Sequence, residues 1–153
     1  MDFFDAAMPF SHKLSLGNVG LQAHDYVACG FDRADVIICV GFDMVEYHPH
    51  LWHEGKDKKI IRIDPIYAEV DEHYILEVGA VDDIAQALDG ISAIAERGEN
   101  NNSPELRKLI VDELTEMASD TSFPMKPQRI LCDARKALGN EYIVISDVGA
   151  HKM

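Results

Sequence analysis

The sequence predicts an α/β fold in which a parallel sheet is flanked by helices. Three short runs of β-branched and apolar residues are typical of strands in a buried parallel sheet: 36–41 (VIICVG), 59–64 (KIIRID) and 75–81 (ILEVGAV). Segments whose apolar residues recur at helical spacing alternate with these runs. That alternation is the pattern of β–α units.

Composition narrows the class of protein. The chain has 153 residues, of which 47% are hydrophobic and 27% charged, and this is a globular composition. Its net charge of −13 opposes binding to nucleic acid or to an anionic membrane, because their phosphates repel it. No apolar run approaches the ~20 residues of a membrane helix, and no secretory leader is visible. Cys29, Cys39 and Cys132 are widely spaced, so we expect buried thiols in a reducing cytoplasm.

The elements of the first segment can be justified in chain order. Spacing around Val27 and Phe31 predicts a helix before the first strand. The first strand is apolar at every position, so we expect it to be buried on both faces. After the third strand, Asp82 or Asp83 can cap a helix that continues to about Arg97.

The second segment begins after a turn-rich stretch, 98–104 (GENNNSP), which we take as a boundary. Ser103 is a good N-cap with Pro104 at the first helical position, and apolar residues follow at helical spacing. A second helix is predicted from about Pro127 to Leu138. The run 142–146 (YIVIS) predicts another buried strand, which leads into 147–153 (DVGAHKM).

Three stretches together resemble one enzyme family. They are 15–53 (SLGNVG to PHLWH), 58–84 (KKIIRID to VDDI) and 124–151 (PMKPQRI to DVGAH). In this order they are similar to consecutive parts of acetolactate synthase catalytic subunits, which depend on thiamine diphosphate. The ending D-V-G-x-H is the most specific motif. One departure is Asp82, where the family usually has glycine.

The resemblance extends to a branch of that family. The pattern E-Y-x-P-x-x-W (Glu46 to Trp52) resembles the catabolic branch, which makes acetolactate without FAD. The FAD-dependent branch usually has an arginine after the first strand, where this chain has 42–45 (FDMV). Without that arginine a flavin diphosphate lacks a charge-assisted partner, so FAD is not expected.

The resemblance implies an organisation and a reaction. Residues 1–97 would be part of a Rossmann-like central domain, 98–123 a linker with a helix, and 124–153 the first β–α elements of the diphosphate-binding domain. The reaction would join two pyruvates into 2-acetolactate with loss of CO₂, in a homo-oligomer that uses thiamine diphosphate and Mg²⁺. The expected cofactor contacts are Val148, Gly149, Ala150 and His151. The family's activating glutamate and its Mg²⁺-binding motif have no counterpart in this sequence, so no catalytic residue or metal ligand is assigned and we expect a fragment that is inactive alone.

Other interpretations stay open. The chain could be a non-catalytic remnant or interaction module, or a stand-alone nucleotide-binding domain that uses Gly17–Gly20 and Asp64. Asp64 could equally be a turn residue before Pro65. The histidines of 48–53 (HPHLWH) do not stack on one helical face, so a loop that packs Tyr47 and Trp52 is favoured over a metal site. The acids of 69–72 (EVDE) are expected to be solvated.

Overall fold

The computed structural model describes residues 8–19, 26–45, 47–96, 103–139 and 141–145. The chain forms two compact units. The described part of the first unit comprises residues 28–45 and 47–96, and that of the second comprises 8–19, 26–27, 103–139 and 141–145. None of the described helices combines the length and the apolar character that a membrane crossing requires.

The first unit is built on a three-stranded parallel sheet in the order β1-β2-β3. Its elements are α1 (Ala28–Arg33), β1 (Val36–Val40), β2 (Lys59–Asp64), β3 (Leu76–Val81) and α2 (Ile84–Ile94). In register, Ile38 lies opposite Ile61, which lies opposite Val78. A short 3-10 turn, Pro49–Leu51, interrupts the crossover from β1 to β2. The predicted α/β class and the three predicted strands are confirmed.

The core of the first unit lies on one face of the sheet. Ile37, Cys39 and Ile60 project from the strands toward Trp52 and Tyr74, which come from the two crossovers. All five side chains are buried. Complete burial of one large apolar side chain contributes about 1.5–3 kcal/mol, so this cluster is the main source of stability described for the unit.

The expectation that β1 is buried on both faces is wrong. Its burial alternates, and Val36, Ile38 and Val40 are 41%, 53% and 36% exposed. Alternate residues of a strand point to opposite faces, and Trp52 and Tyr74 cover only the opposite one. The first strand is therefore half-buried despite its continuous apolar sequence.

Helix α2 begins as predicted, because the Asp83 side chain accepts a hydrogen bond from the backbone N–H of Gln86 at 3.0 Å. The helix ends at Ile94, three residues before the expected limit. Its apolar side is only partly covered, since Leu88 and Ile91 remain about two-fifths exposed. The helix contacts β2.

Two helices dominate the second unit, α3 (Ser103–Ser119) and α4 (Pro127–Ala137), which pack on each other. Both were predicted. Leu106 and Ile110 of α3 are buried. Between them in sequence, Arg107 donates to the Ser15 carbonyl at 2.6 Å, and its guanidinium lies 4.3 Å from the centre of the Phe10 ring. These contacts join residues 8–19 to α3.

The strand expected over residues 142–146 is not formed in its described part, 142–145. Ile143 and Ile145 are each 88% exposed, and the Tyr142 carbonyl accepts a hydrogen bond from Arg135 at 2.9 Å. A strand needs a hydrogen-bonded neighbour, and no described strand pairs with this segment. The β-branched sequence alone therefore does not produce a strand here.

The assignment of residues 1–97, 98–123 and 124–153 to separate domains stays a prediction. In the structure, residues 8–19 and 26–27 belong to the second unit, with 103–145.

Candidate functional site

The four residues expected to contact a diphosphate are Val148, Gly149, Ala150 and His151. All four lie outside the described residues. The segment that leads to them is irregular at 142–145. Their role as cofactor contacts therefore stays a prediction.

The residues of the nucleotide-binding interpretation belong to different units. Gly17, in the second unit, has a positive φ of 95°, and its N–H donates to the Ser15 hydroxyl at 3.3 Å. A Cβ at this position would lie 3.2 Å from the Phe10 ring, which gives the glycine a structural reason. Gly20 lies outside the described residues, and Asp64 belongs to the first unit.

A cavity of about 340 Å³ opens beside the carboxyl ends of β1 and β2. Open α/β sheets bind ligands at this edge, because the loops that follow the strands converge there. The cavity lies wholly within the first unit. Its lining residues come from two short stretches, 41–45 and 62–69, and from Tyr74.

A buried ion pair forms the floor of this cavity. Arg62 Nη2 lies 3.0 Å from Asp64 Oδ2, and the two side chains are only 9% and 8% exposed. Arg62 Nη1 also donates to the Ile66 carbonyl at 2.9 Å, while Asp64 Oδ1 accepts from the Ile66 N–H at 3.1 Å. Both partners therefore hold the turn after β2, and Asp64 acts as the turn residue that the sequence suggested.

One wall of the cavity is aromatic. Tyr74 packs edge-on against Phe42, with ring centres 5.8 Å apart, and both rings meet Trp52. Burial raises the pKa of the Tyr74 hydroxyl well above its ordinary range, and the adjacent Cys39 thiol adds to the rise. Burial also raises the pKa of Cys39 itself. At neutral pH the phenol of this wall and the core thiol beside it are therefore both protonated, and neither is a nucleophile.

The charged side chains that line the cavity are one arginine and three carboxylates. Its guanidinium is already neutralised by Asp64, and Asp43 and Glu69 add negative charge at the rim. The described lining contains no nucleophile held by a base. Sequence analysis did not single out Arg62. The available signal was an arginine within an apolar strand, two residues before an aspartate and therefore on the same face.

The loop that carries His48, His50 and His53 packs as expected. Trp52 is 7% exposed, stacks on Phe31 at 5.4 Å, and donates its indole N–H to the Tyr47 carbonyl at 3.2 Å. Within the described ranges, no three His, Cys, Asp or Glu side chains are arranged to hold a metal ion.

A three-stranded parallel sheet with flanking helices and a cavity at the carboxyl ends of its strands defines an α/β domain. The family model of the thiamine pyrophosphate enzyme central domain matches residues 5–91, and the chain belongs to this family.

Several curated proteins are similar to most of the chain. An acetolactate synthase of Bacillus subtilis (strain 168) is 26% identical over 160 residues, which cover 99% of this chain and 28% of that protein. A catabolic acetolactate synthase of Raoultella terrigena is 33% identical over 129 residues, covering 82% of this chain and 20% of that protein. A glyoxylate carboligase of Escherichia coli O157:H7 is 26% identical over 153 residues, which cover 93% of this chain and 26% of that protein. The chain thus spans between a fifth and just over a quarter of these relatives.

Proposed function

We propose that this chain is part of an acetolactate synthase-type enzyme, a transferase that joins two pyruvates into 2-acetolactate with release of CO₂. The observation that carries the proposal is the family match over residues 5–91, together with two acetolactate synthases that are similar over 82% and 99% of the chain. Within such an enzyme, the described first unit is a scaffold. Its buried ion pair and aromatic cluster fix the loops at the carboxyl edge of the sheet.

Thiamine diphosphate, with Mg²⁺, is the proposed cofactor of the enzyme that contains this chain. When bound, it supplies the electron sink that decarboxylation of a 2-keto acid requires. We assign Val148, Gly149, Ala150 and His151 to the diphosphate, with Gly149 permitting close approach of the backbone. No described residue is assigned to this contact. FAD is not part of the proposal, because the stretch 42–45 offers no arginine to a flavin diphosphate.

The proposal includes a homo-oligomeric enzyme in the cytoplasm. The cytoplasmic assignment rests on three widely spaced cysteines, which are free in the structure. The isolated chain is expected to be inactive, because no catalytic group is assigned within it.

The test uses the complete genomic reading frame that contains this chain. We expect its purified product to form 2-acetolactate from pyruvate only when thiamine diphosphate and Mg²⁺ are present. Gly149→Ala should raise the apparent dissociation constant of thiamine diphosphate by at least about tenfold, which corresponds to about 1.4 kcal/mol. Gly90→Ala is the matched control, because a Cβ at Gly90 meets nothing within 4 Å.

Three outcomes would redirect the assignment. Consumption of glyoxylate but not pyruvate would favour the carboligase reaction named for one relative. A reading frame without further enzyme sequence would favour the non-catalytic remnant. Stabilisation of the chain by FAD or NAD, but not by thiamine diphosphate with Mg²⁺, would favour a nucleotide-binding module. A ligand at 100 times its dissociation constant should stabilise the chain by about 2.7 kcal/mol, which thermal denaturation detects readily.

A further inference from the structure

A continuous chain of hydrogen bonds joins two loops on the surface of the first unit. His48 Nε2 lies 2.9 Å from Asp71 Oδ2, and His48 Nδ1 lies 2.9 Å from His50 Nδ1. His48 Nδ1 also accepts the backbone N–H of His50 at 3.3 Å. His48 is therefore at once the N-cap of the Pro49–Leu51 turn and the partner of a carboxylate on another loop.

These contacts define where the protons lie. A backbone N–H can only donate, so His48 Nδ1 must be an acceptor. The ring proton of neutral His48 is then on Nε2, from which it donates to Asp71. His50 must donate through its own Nδ1. Burial works to raise the pKa of Asp71, but the backbone N–H groups of His73 and Tyr74 outweigh it, so the pKa is lowered and the carboxylate stays charged.

A second proton on His48 conflicts with this arrangement. It would occupy Nδ1, where it would face the His50 N–H and remove the acceptor that caps the turn. The imidazolium would still pair with Asp71, and it could donate to His50 Nδ1 if His50 moved its proton to Nε2. Protonation would thus exchange a backbone cap for an ion pair. Histidine is the side chain whose charge changes between about pH 5 and 8.

Both ends of this chain of hydrogen bonds reach the aromatic core. The N–H of Trp52 closes the capped turn on the Pro49 carbonyl at 3.1 Å. Asp71 belongs to the acids that were expected to be solvated, but its Oδ1 accepts the N–H groups of His73 and Tyr74 at 2.8 Å each. Trp52 and Tyr74 are in ring contact, and Tyr74 lines the cavity at the edge of the sheet.

The charged and titratable neighbours of this cluster come from the same two loops. The His73 ring is 6.3 Å from that of His50, and Glu72 lies near His73 and pairs with Lys56 at 2.9 Å. His53 is buried and accepts the Lys58 N–H on Nε2 while its Nδ1 donates to the His73 carbonyl. His53 is thus a second histidine beside Trp52, and a test has to separate the two.

We propose that His48 is a proton-controlled cap, which in its neutral form closes the Pro49–Leu51 turn over the aromatic core and on protonation releases the turn while keeping its bond to Asp71. The device links the proton state of a surface histidine to the loop that positions Trp52. The only ligand that the proposed cap needs is a proton. The proposal therefore does not depend on the proposed enzyme activity.

The experiment titrates the 153-residue chain between pH 5 and 8. Trp52 is the chain's single tryptophan, so its emission reports on this turn without interference. We expect the emission and the amide proton shift of His50, followed by NMR, to change together with one midpoint. In His48→Asn the Trp52 change should disappear, together with the part of the His50 amide shift that shares its midpoint, since asparagine is a good N-cap that does not titrate. In Asp71→Asn the midpoint should move to lower pH, because the imidazolium loses its charged partner.

His12→Asn is the matched control, because His12 Nδ1 accepts the Leu14 N–H at 3.2 Å in the same i, i+2 arrangement. This variant should keep the full transition of Trp52. The proposal is overturned if the Trp52 transition survives in His48→Asn with its midpoint unchanged, which would assign it to another histidine of these loops, His50, His53 or His73. It is equally overturned if the His50 amide does not titrate in the original chain. If His48→Asn does not fold, a midpoint that is unchanged in Asp71→Asn still overturns the proposal.

Discussion

Replacing Asp64 with alanine should destabilise the first unit severely. The change removes the carboxylate 3.0 Å from Arg62 and leaves a guanidinium whose side chain is only 9% exposed. It also removes the acceptor of the Ile66 N–H. Breaking a buried ion pair from one side costs about 3–5 kcal/mol, because the remaining charge stays out of water without compensation. A typical domain has a total stability of about 5–15 kcal/mol, so a large part of it is at stake.

Urea denaturation followed by Trp52 emission measures this loss of stability, because Trp52 and Asp64 belong to the same unit. With a denaturant dependence of about 1–3 kcal/mol per molar urea, the midpoint should fall by at least about 1 M. Asp64→Asn keeps an acceptor for the Ile66 N–H but removes the charge, so it should lose nearly as much. The double variant Arg62→Met with Asp64→Leu should recover most of the loss, since no isolated charge remains.

Lys56→Gln is the control, because it breaks an exposed ion pair with Glu72 in the same unit. Its midpoint should stay within error of the original chain. If Asp64→Ala shifts the midpoint no more than Lys56→Gln, the reasoning from buried charge is refuted. If the double variant is as unstable as Asp64→Ala, packing rather than charge is responsible.

Two further predictions concern individual ionisable groups. Burial raises the pKa of Cys39, so iodoacetamide should label Cys39 after the half-buried Cys29 and Cys132, as followed by mass spectrometry; labelling of Cys39 at the rate of Cys132 would contradict this. The hydrogen bond from Lys126 lowers the pKa of Asp120, so its contribution is present above the unfolded carboxyl's pKa of about 3.9 and is lost as the pH falls. Lys126→Met should therefore lower the melting temperature at pH 6, and the difference should shrink in acid; a difference that grows in acid would exclude this sign.

The strands show what can be predicted from sequence. β2 was predicted because KIIRID is short, β-branched and apolar, and it is the middle strand, paired on both sides. The run at 142–145 (YIVI) is also short and β-branched, but it has no described pairing partner and is irregular. Local composition therefore indicates that a segment is able to form a strand. Whether it does so depends on a neighbour that a single segment does not specify.

The side-chain contacts of the first unit were predictable only where they depend on residues close in sequence. The Asp83 cap was predictable, because it depends on residues only three positions apart. The ion pair of Arg62 with Asp64 could have been predicted, since residues two positions apart in a strand lie on the same face. The contact between His48 and Asp71 was not, because it joins two crossovers whose relative position depends on the assembled sheet. The family assignment rested on motifs and is confirmed by the match over residues 5–91.

The strand order has a consequence for the half of β1 that meets water. Because the order β1-β2-β3 follows the chain, each described crossover advances the sheet by one position in the same direction. Right-handed crossovers that advance in one direction all pass over the same side, and the burial of both Trp52 and Tyr74 on that side agrees with this rule. The other side is covered only in part: Ile63 of β2, which lies opposite Val40 in register, is 1% exposed. Val36, Ile38 and Val40 thus stay exposed on the edge strand, while the middle strand buries Ile63 on the same face.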